Sequence, residues 1–149
     1  MKKSFKQVLA LGLALAALSP VAQARDTTLH IPLADVLAMP EAQGKLDGSV
    51  KFYLAGQKTP KVEKTFSSDS SNQKTNGVGK SDEFGCKWAA LSALIAFQNS
   101  AKREGANAVI DLVSYYKKNE VKSDTTFECH AGAVIIGVAL KGTYAKVAE

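Results

Sequence analysis

Residues 86–116, CKWAALSALIAFQNSAKREGANAVIDLVSYY, decide the fold class. From Cys86 to Arg103, Trp88, Leu91 and Ile95 recur with the 3.6-residue period of a helix, with Leu94, Ala101 and several alanines between them. Ser81 and Asp82 stand ahead of this run as caps for its first free N–H groups. Lys102-Arg103 suits the negative end of the helix dipole, and Gly105 is the expected stop. The chain then passes directly into Asn107–Tyr116, whose Val109, Ile110, Leu112 and Val113 have the content of a strand.

Working outward, Lys117–Asp124 reads as a charged connector and Thr125–Leu140 as one long strand. Its nearly continuous apolar run, Ala133 to Val138, predicts a central position buried on both faces. Towards the N-terminus, Arg25–Ile31 alternates as a short strand or extended arm. Pro32 opens a short helix carrying Leu33, Val36 and Leu37, which Pro40 ends. Gly44–Gly48 is turn-prone, Ser49–Leu54 is a strand, and Pro60–Phe66 is expected to pair with it as a hairpin. Ser67–Ser81 has Val78 as its only large apolar residue and is expected to be a mobile surface loop. Strand, helix, strand, strand predicts an α/β (α+β) fold: a small β-sheet with one main amphipathic helix packed on it, in a single disulfide-braced domain over residues 25–149.

Residues 1–24 have the layout of a secretory signal peptide: basic Lys2, Lys3 and Lys6, an apolar run from Val8 to Leu18, then Ala22-Gln23-Ala24 as a cleavage site. The run is shorter than the roughly 20 residues that span a bilayer. No cysteine adjoins the cleavage point, so no lipid anchor is expected. The mature chain is expected to start at Arg25 and to be soluble in the periplasm. Three of the 19 basic residues and none of the 14 acidic ones lie in this signal, so residues 25–149 carry +2 against +5 for the whole chain. That excess is ordinary, and nucleic acid is not an expected partner. Cys86 and Cys129 are the only cysteines. In an oxidising compartment an even pair reads first as a disulfide, with a metal pair or redox couple as alternatives.

Candidate chemistry is sparse. Asn76-Gly77-Val78-Gly79-Lys80-Ser81 resembles the end of a phosphate-binding loop, yet Lys74 occupies the first glycine position and a polar stretch precedes it. It reads as a flexible loop, with ATP binding as a remote alternative. Glu128 and His130 are the candidate metal ligands, flanking Cys129. In a strand, residues 128 and 130 point to one face and 129 to the other, so the three cannot converge. His130 is therefore expected to be a solvent-facing strand-end residue, and His30 part of the arm. No Gly-x-Ser-x-Gly elbow is present, and neither histidine has an obvious orienting carboxylate. Asp111, inside an apolar strand, is either buried or at an exposed-face position. Catalytic and cofactor-binding residues are none, and no cofactor is expected.

The helix, the step Gly105-Ala106-Asn107-Ala108-Val109, Cys129 and the run Gly132–Leu140 together resemble two known domains. One is the periplasmic domain of the outer-membrane lipoprotein that senses envelope stress for the Rcs phosphorelay. The other is the group of small YbjQ-like domains. The resemblance implies that Cys86 pairs with Cys129, as cysteines at those places do in the sensor family. The second disulfide of that family is absent, with Ile135 where one of its cysteines would stand. The whole chain is also similar to small exported proteobacterial proteins often labelled "excinuclease ATPase subunit". The shared residues are Ile31–Asp35, Ser49–Tyr53 and Glu128–Ala133. The expected function is that of a non-enzymatic periplasmic domain working through an envelope protein partner or in envelope stress. The contact surface is expected near Lys58–Lys64 or Ser67–Ser81. A small-ligand or metal-binding protein is the alternative, and the oligomeric state is not legible.

Overall fold

A computed structural model describes residues 25–149 of the chain; the signal expected over residues 1–24 lies outside the described residues. Six strands and two helices follow one another: β1 (Thr27–Pro32), α1 (Leu33–Leu37), β2 (Lys51–Leu54), β3 (Val62–Asn76), α2 (Asp82–Glu104), β4 (Ala108–Ser114), β5 (Thr126–Ala131) and β6 (Ile135–Val147). The strands form one curled mixed sheet, and α2 packs on it, which is an α+β architecture. Within it β1 pairs with β5, β5 with β6, β6 with β4 and β4 with β2, while β3 lies along β6.

Local chemistry sets the limits of α2. Ser81 caps it, its Oγ accepting from Phe84 N at 3.1 Å. At the other end Gly105 adopts φ 79°. The paired bonds from Ala106 N to Ala101 O and from Gly105 N to Lys102 O then close the terminus as a Schellman turn. Asn107 next acts as a strand residue by side chain, donating from Nδ2 to Val147 O and accepting at Oδ1 from Val147 N. This is how the Gly-Ala-Asn step turns the helix into β4 without a loop.

The amphipathic reading of α2 is too narrow. Ala89, Ala90, Leu91, Ala93, Leu94, Phe97 and Ala101 are buried, whereas Trp88 and Ile95 are only half-buried. Small alanines let the helix lie between the sheet and the segment 33–47, which covers its other side. Buried Gln98 ties that segment down: its Oε1 accepts from Asp47 N and its Nε2 donates to Lys45 O. Lys102 pairs with Asp47, and that contact, followed by the Ser49 hydroxyl, holds the Asp47 carboxyl well below the usual carboxylate range.

The expected long strand over 125–140 breaks in two. Gly132-Ala133-Val134 makes a tight turn, closed by Gly132 N donating to Ile135 O at 2.8 Å, so β5 and β6 form a hairpin. β6 is central, since β3 pairs along its whole length, Val62↔Val147 to Asn76↔Ile135, and β5 and β4 share its other edge. Ile136, Val138, Leu140 and Tyr144 face α2, with Tyr144 edge-on to Phe97. On the opposite face Ala108, Ile110, Ala145 and Val147 form a small second cluster beside Tyr53.

Two further expectations are corrected. The hairpin of Ser49–Leu54 with Pro60–Phe66 does not form: β2 pairs in parallel with β4, and β3 pairs with β6. The surface loop expected over Ser67–Ser81 is instead strand as far as Asn76, leaving only a turn before the helix. An edge strand needs backbone partners rather than apolar side chains, and β6 supplies them.

Candidate functional site

Cys86 lies in the first turns of α2 and Cys129 on the core face of β5. Their Cα atoms are 5.7 Å apart, they are bonded as a disulfide, and neither is exposed. The loop so closed spans 43 residues, for which loop entropy alone gives about 4 kcal/mol. The bridge couples helix to sheet, and while it is closed neither sulfur is a thiolate that could bind a metal.

The alternation of β5 places Phe127, Cys129 and Ala131 inward and Glu128 and His130 outward, as strand geometry requires. His130 is not open to solvent, however: its side chain is 13 % exposed. The Tyr116 ring lies flat on it, with centroids 3.5 Å apart and planes 13° from parallel. Nδ1 faces Asp26 Oδ1 at 3.6 Å and Thr28 Oγ1 at 3.5 Å, while Nε2 faces Glu128 Oε2 at 3.6 Å. Buried Nε2 has no hydrogen-bond partner among the described residues. A cleft of about 290 Å³ opens beside this group, bounded among others by Lys74, Gly132 and Gly137.

Tyr116 reaches the ring from a short 3-10 turn at Tyr116–Lys118, in which Lys117 (φ 51°) and Lys118 (φ 64°) adopt left-handed backbone conformations. Such conformations cost non-glycine residues about 1 kcal/mol or more each. Asp26, Thr28 and Tyr116 are partners that sequence reasoning missed, because 14 to 104 residues separate them from His130. Only the pairing of β1 with β5, Thr28↔His130, brings the first two there. His30 falls on the same strand, across from Glu128.

Glu128 and His130 thus come together, and Cys129 does not join them. Among the described residues no group of three His, Cys, Asp or Glu is placed to hold a metal ion together. Asp111 is exposed, at φ 53°, where a bulge between Ile110 and Val113 turns it out of a strand otherwise buried on both faces.

The phosphate-loop look-alike does stand between a strand and a helix. Three of its amides, though, are already engaged, Gly77 N with Val134 O, Val78 N with Asn76 Oδ1 and Lys80 N with Gly77 O, while Ser81 Oγ accepts from Phe84 N. A phosphate cradle requires those N–H groups to be free and convergent.

A second concavity, about 320 Å³, is lined largely by Leu37, Ala42, Leu46, Val50, Phe52 and Tyr53. It adjoins β2, which pairs on one side only among the described residues. Among the described residues no helix is long and apolar enough to cross a membrane. Comparison with family models and with curated proteins finds no match for this chain.

Proposed function

We propose that the chain is a non-enzymatic, exported domain of the bacterial periplasm that works by contact with an envelope protein. The observation that supports this best is the apolar groove beside the open edge of β2. Leu37 is 38 % exposed there, next to Leu46, Phe52 and Tyr53. The part of that edge ahead of Leu54, whose own N–H and C=O bind Gln57, offers main-chain hydrogen bonds and the adjoining apolar groove offers side-chain pockets, the combination that receives an extended peptide segment. The groove is favoured over the two surfaces expected from sequence. Ser67–Asn76 belongs to a strand whose bulges and polar, lysine-bearing side chains discourage edge pairing. The buried disulfide and the three-part export signal support the periplasmic address.

The test is photo-crosslinking in living cells, with the reactive residue placed at Leu37, at Lys51, or at exposed Phe84 in the first turn of α2, which does not line the groove. A discrete protein adduct from the first two positions and none from Phe84 is the expected result. Equal adducts from all three, or none, refute the contact reading. Native mass spectrometry of the exported protein complements it: a start at Arg25 and a mass 2 Da below the reduced value are expected, and a reproducibly retained small molecule would favour ligand binding instead.

A further inference from the structure

We infer that His130 is a proton-operated clasp, which on taking up a proton ties the N-terminal strand β1 to β5 through Asp26 and Glu128. The argument rests on which hydrogens the ring can offer. A neutral imidazole has one N–H and one lone pair. With the hydrogen on Nδ1, the lone pair of buried Nε2 faces the Glu128 carboxylate at 3.6 Å, which is the unpartnered state. With the hydrogen on Nε2, Thr28 can turn its hydroxyl hydrogen to Nδ1, but Asp26 Oδ1 still stands 3.6 Å from that lone pair. Either tautomer leaves a carboxylate against a lone pair. Only the imidazolium donates at both nitrogens, and its charge then lies on the face of the Tyr116 ring 3.5 Å away.

A proton suits this gap better than a metal ion. It needs only the two carboxylates, which stand at different nitrogens of the ring, whereas no group of three among the described residues is placed to hold a metal ion together. The charged and titratable groups around the ring come from every side. Asp26, Arg25 and His30 come from the N-terminal segment and β1, Glu128 from β5, and Tyr116 and Lys117 from the 3-10 turn. Lys74 on β3 borders the cleft. Arg25 is engaged by Asp82 of α2, which leaves Asp26 to the ring. Asp26 and Thr28 belong to the N-terminal segment, and among the described residues β1 pairs with no strand except β5. The proton therefore acts on how firmly that segment is held. Whichever tautomer the ring holds, the N–H that a proton adds faces a carboxylate, so attachment of β1 is expected to strengthen as pH falls.

Hydrogen exchange of the oxidised protein, read by mass spectrometry in EDTA at pH 5.5 and 7.5 and corrected for intrinsic rates, tests this. Protection of Thr27–Pro32 relative to β4 is expected to be roughly three- to tenfold greater at pH 5.5. His130→Gln, and Asp26→Asn combined with Glu128→Gln, should abolish the difference, while His30→Gln keeps it. Asp26→Asn alone changes an exposed side chain and serves where another variant loses β4 protection. The inference is overturned by a pH-independent ratio in the wild type, by an unchanged ratio in His130→Gln, or by a difference that appears only when zinc is added back.

Discussion

Gly142 of β6 lies against Leu112 of β4 so closely that a Cβ on the glycine would stand 2.8 Å from Leu112 Cδ2 and 2.7 Å from Val109 Cγ1. Val109 and Leu112 are fully buried, so neither can give way. Gly142→Ala should therefore cost about 1–3 kcal/mol by overpacking. Gly137, five residues earlier on the same strand, would meet nothing nearer than 3.7 Å, and Gly137→Ala should be nearly neutral. Urea denaturation of the two variants checks the contrast; equal losses would mean that close approach is not what Gly142 provides.

The disulfide joins the start of α2 to β5, and removing it releases a 43-residue loop in the unfolded chain. Cys86→Ala with Cys129→Ala should lower stability by up to about 4 kcal/mol. An unchanged denaturation midpoint would show that the bridge contributes nothing. Because both sulfurs are buried, the folded protein should also resist alkylation unless it is reduced under denaturing conditions.

Gln98 satisfies two backbone groups of the segment that covers α2, Asp47 N and Lys45 O. Gln98→Ala leaves both unpaired in a partly buried setting and should cost about 1–3 kcal/mol. The loss should be accompanied by faster exchange at residues 45–47. Global destabilisation without that local signature would place the effect elsewhere.

Burial pushes the Tyr144 hydroxyl up to about 12 from 10.0. In the fold the hydroxyl donates to Asp69 Oδ2 at 3.0 Å. A phenol that ionises later in the folded chain than in the unfolded one makes the folded state bind more protons between those values. Its contribution is complete below pH 10 and is lost as pH rises towards 12. Ultraviolet titration of the four tyrosines should show one lagging step, absent from Tyr144→Phe. If all four titrate together, Tyr144 is not shielded as the structure places it.

Several features of this site could be read from sequence and several could not. Alternation alone placed Glu128 and His130 on one face of a strand and Cys129 on the other, and the structure has them so. Nothing near His130 in the chain announces Asp26 or Tyr116, because a ring stack and a carboxylate brought in by strand pairing leave no periodic signal. Val62–Asn76 misled for a related reason. Its composition reports that its side chains bury little, which is true: only Ser71 is buried. Composition says nothing of whether its backbone finds a partner.

By itself the sequence determined α2, its cap at Ser81 and its stop at Gly105, because hydrogen bonds within a few residues decide helix ends. It also determined the strand character of β4 and the α+β class, and made a bridge the first reading of the cysteine pair, which the fold closes. Tertiary structure alone decided that β2 runs parallel to β4, that the apolar stretch after Thr125 folds back at Gly132 into two strands, and that a polar segment completes the sheet. The physical reason is common to all three. A strand satisfies its main-chain groups only across to another strand, so its partner is chosen by the competition of distant segments for open edges.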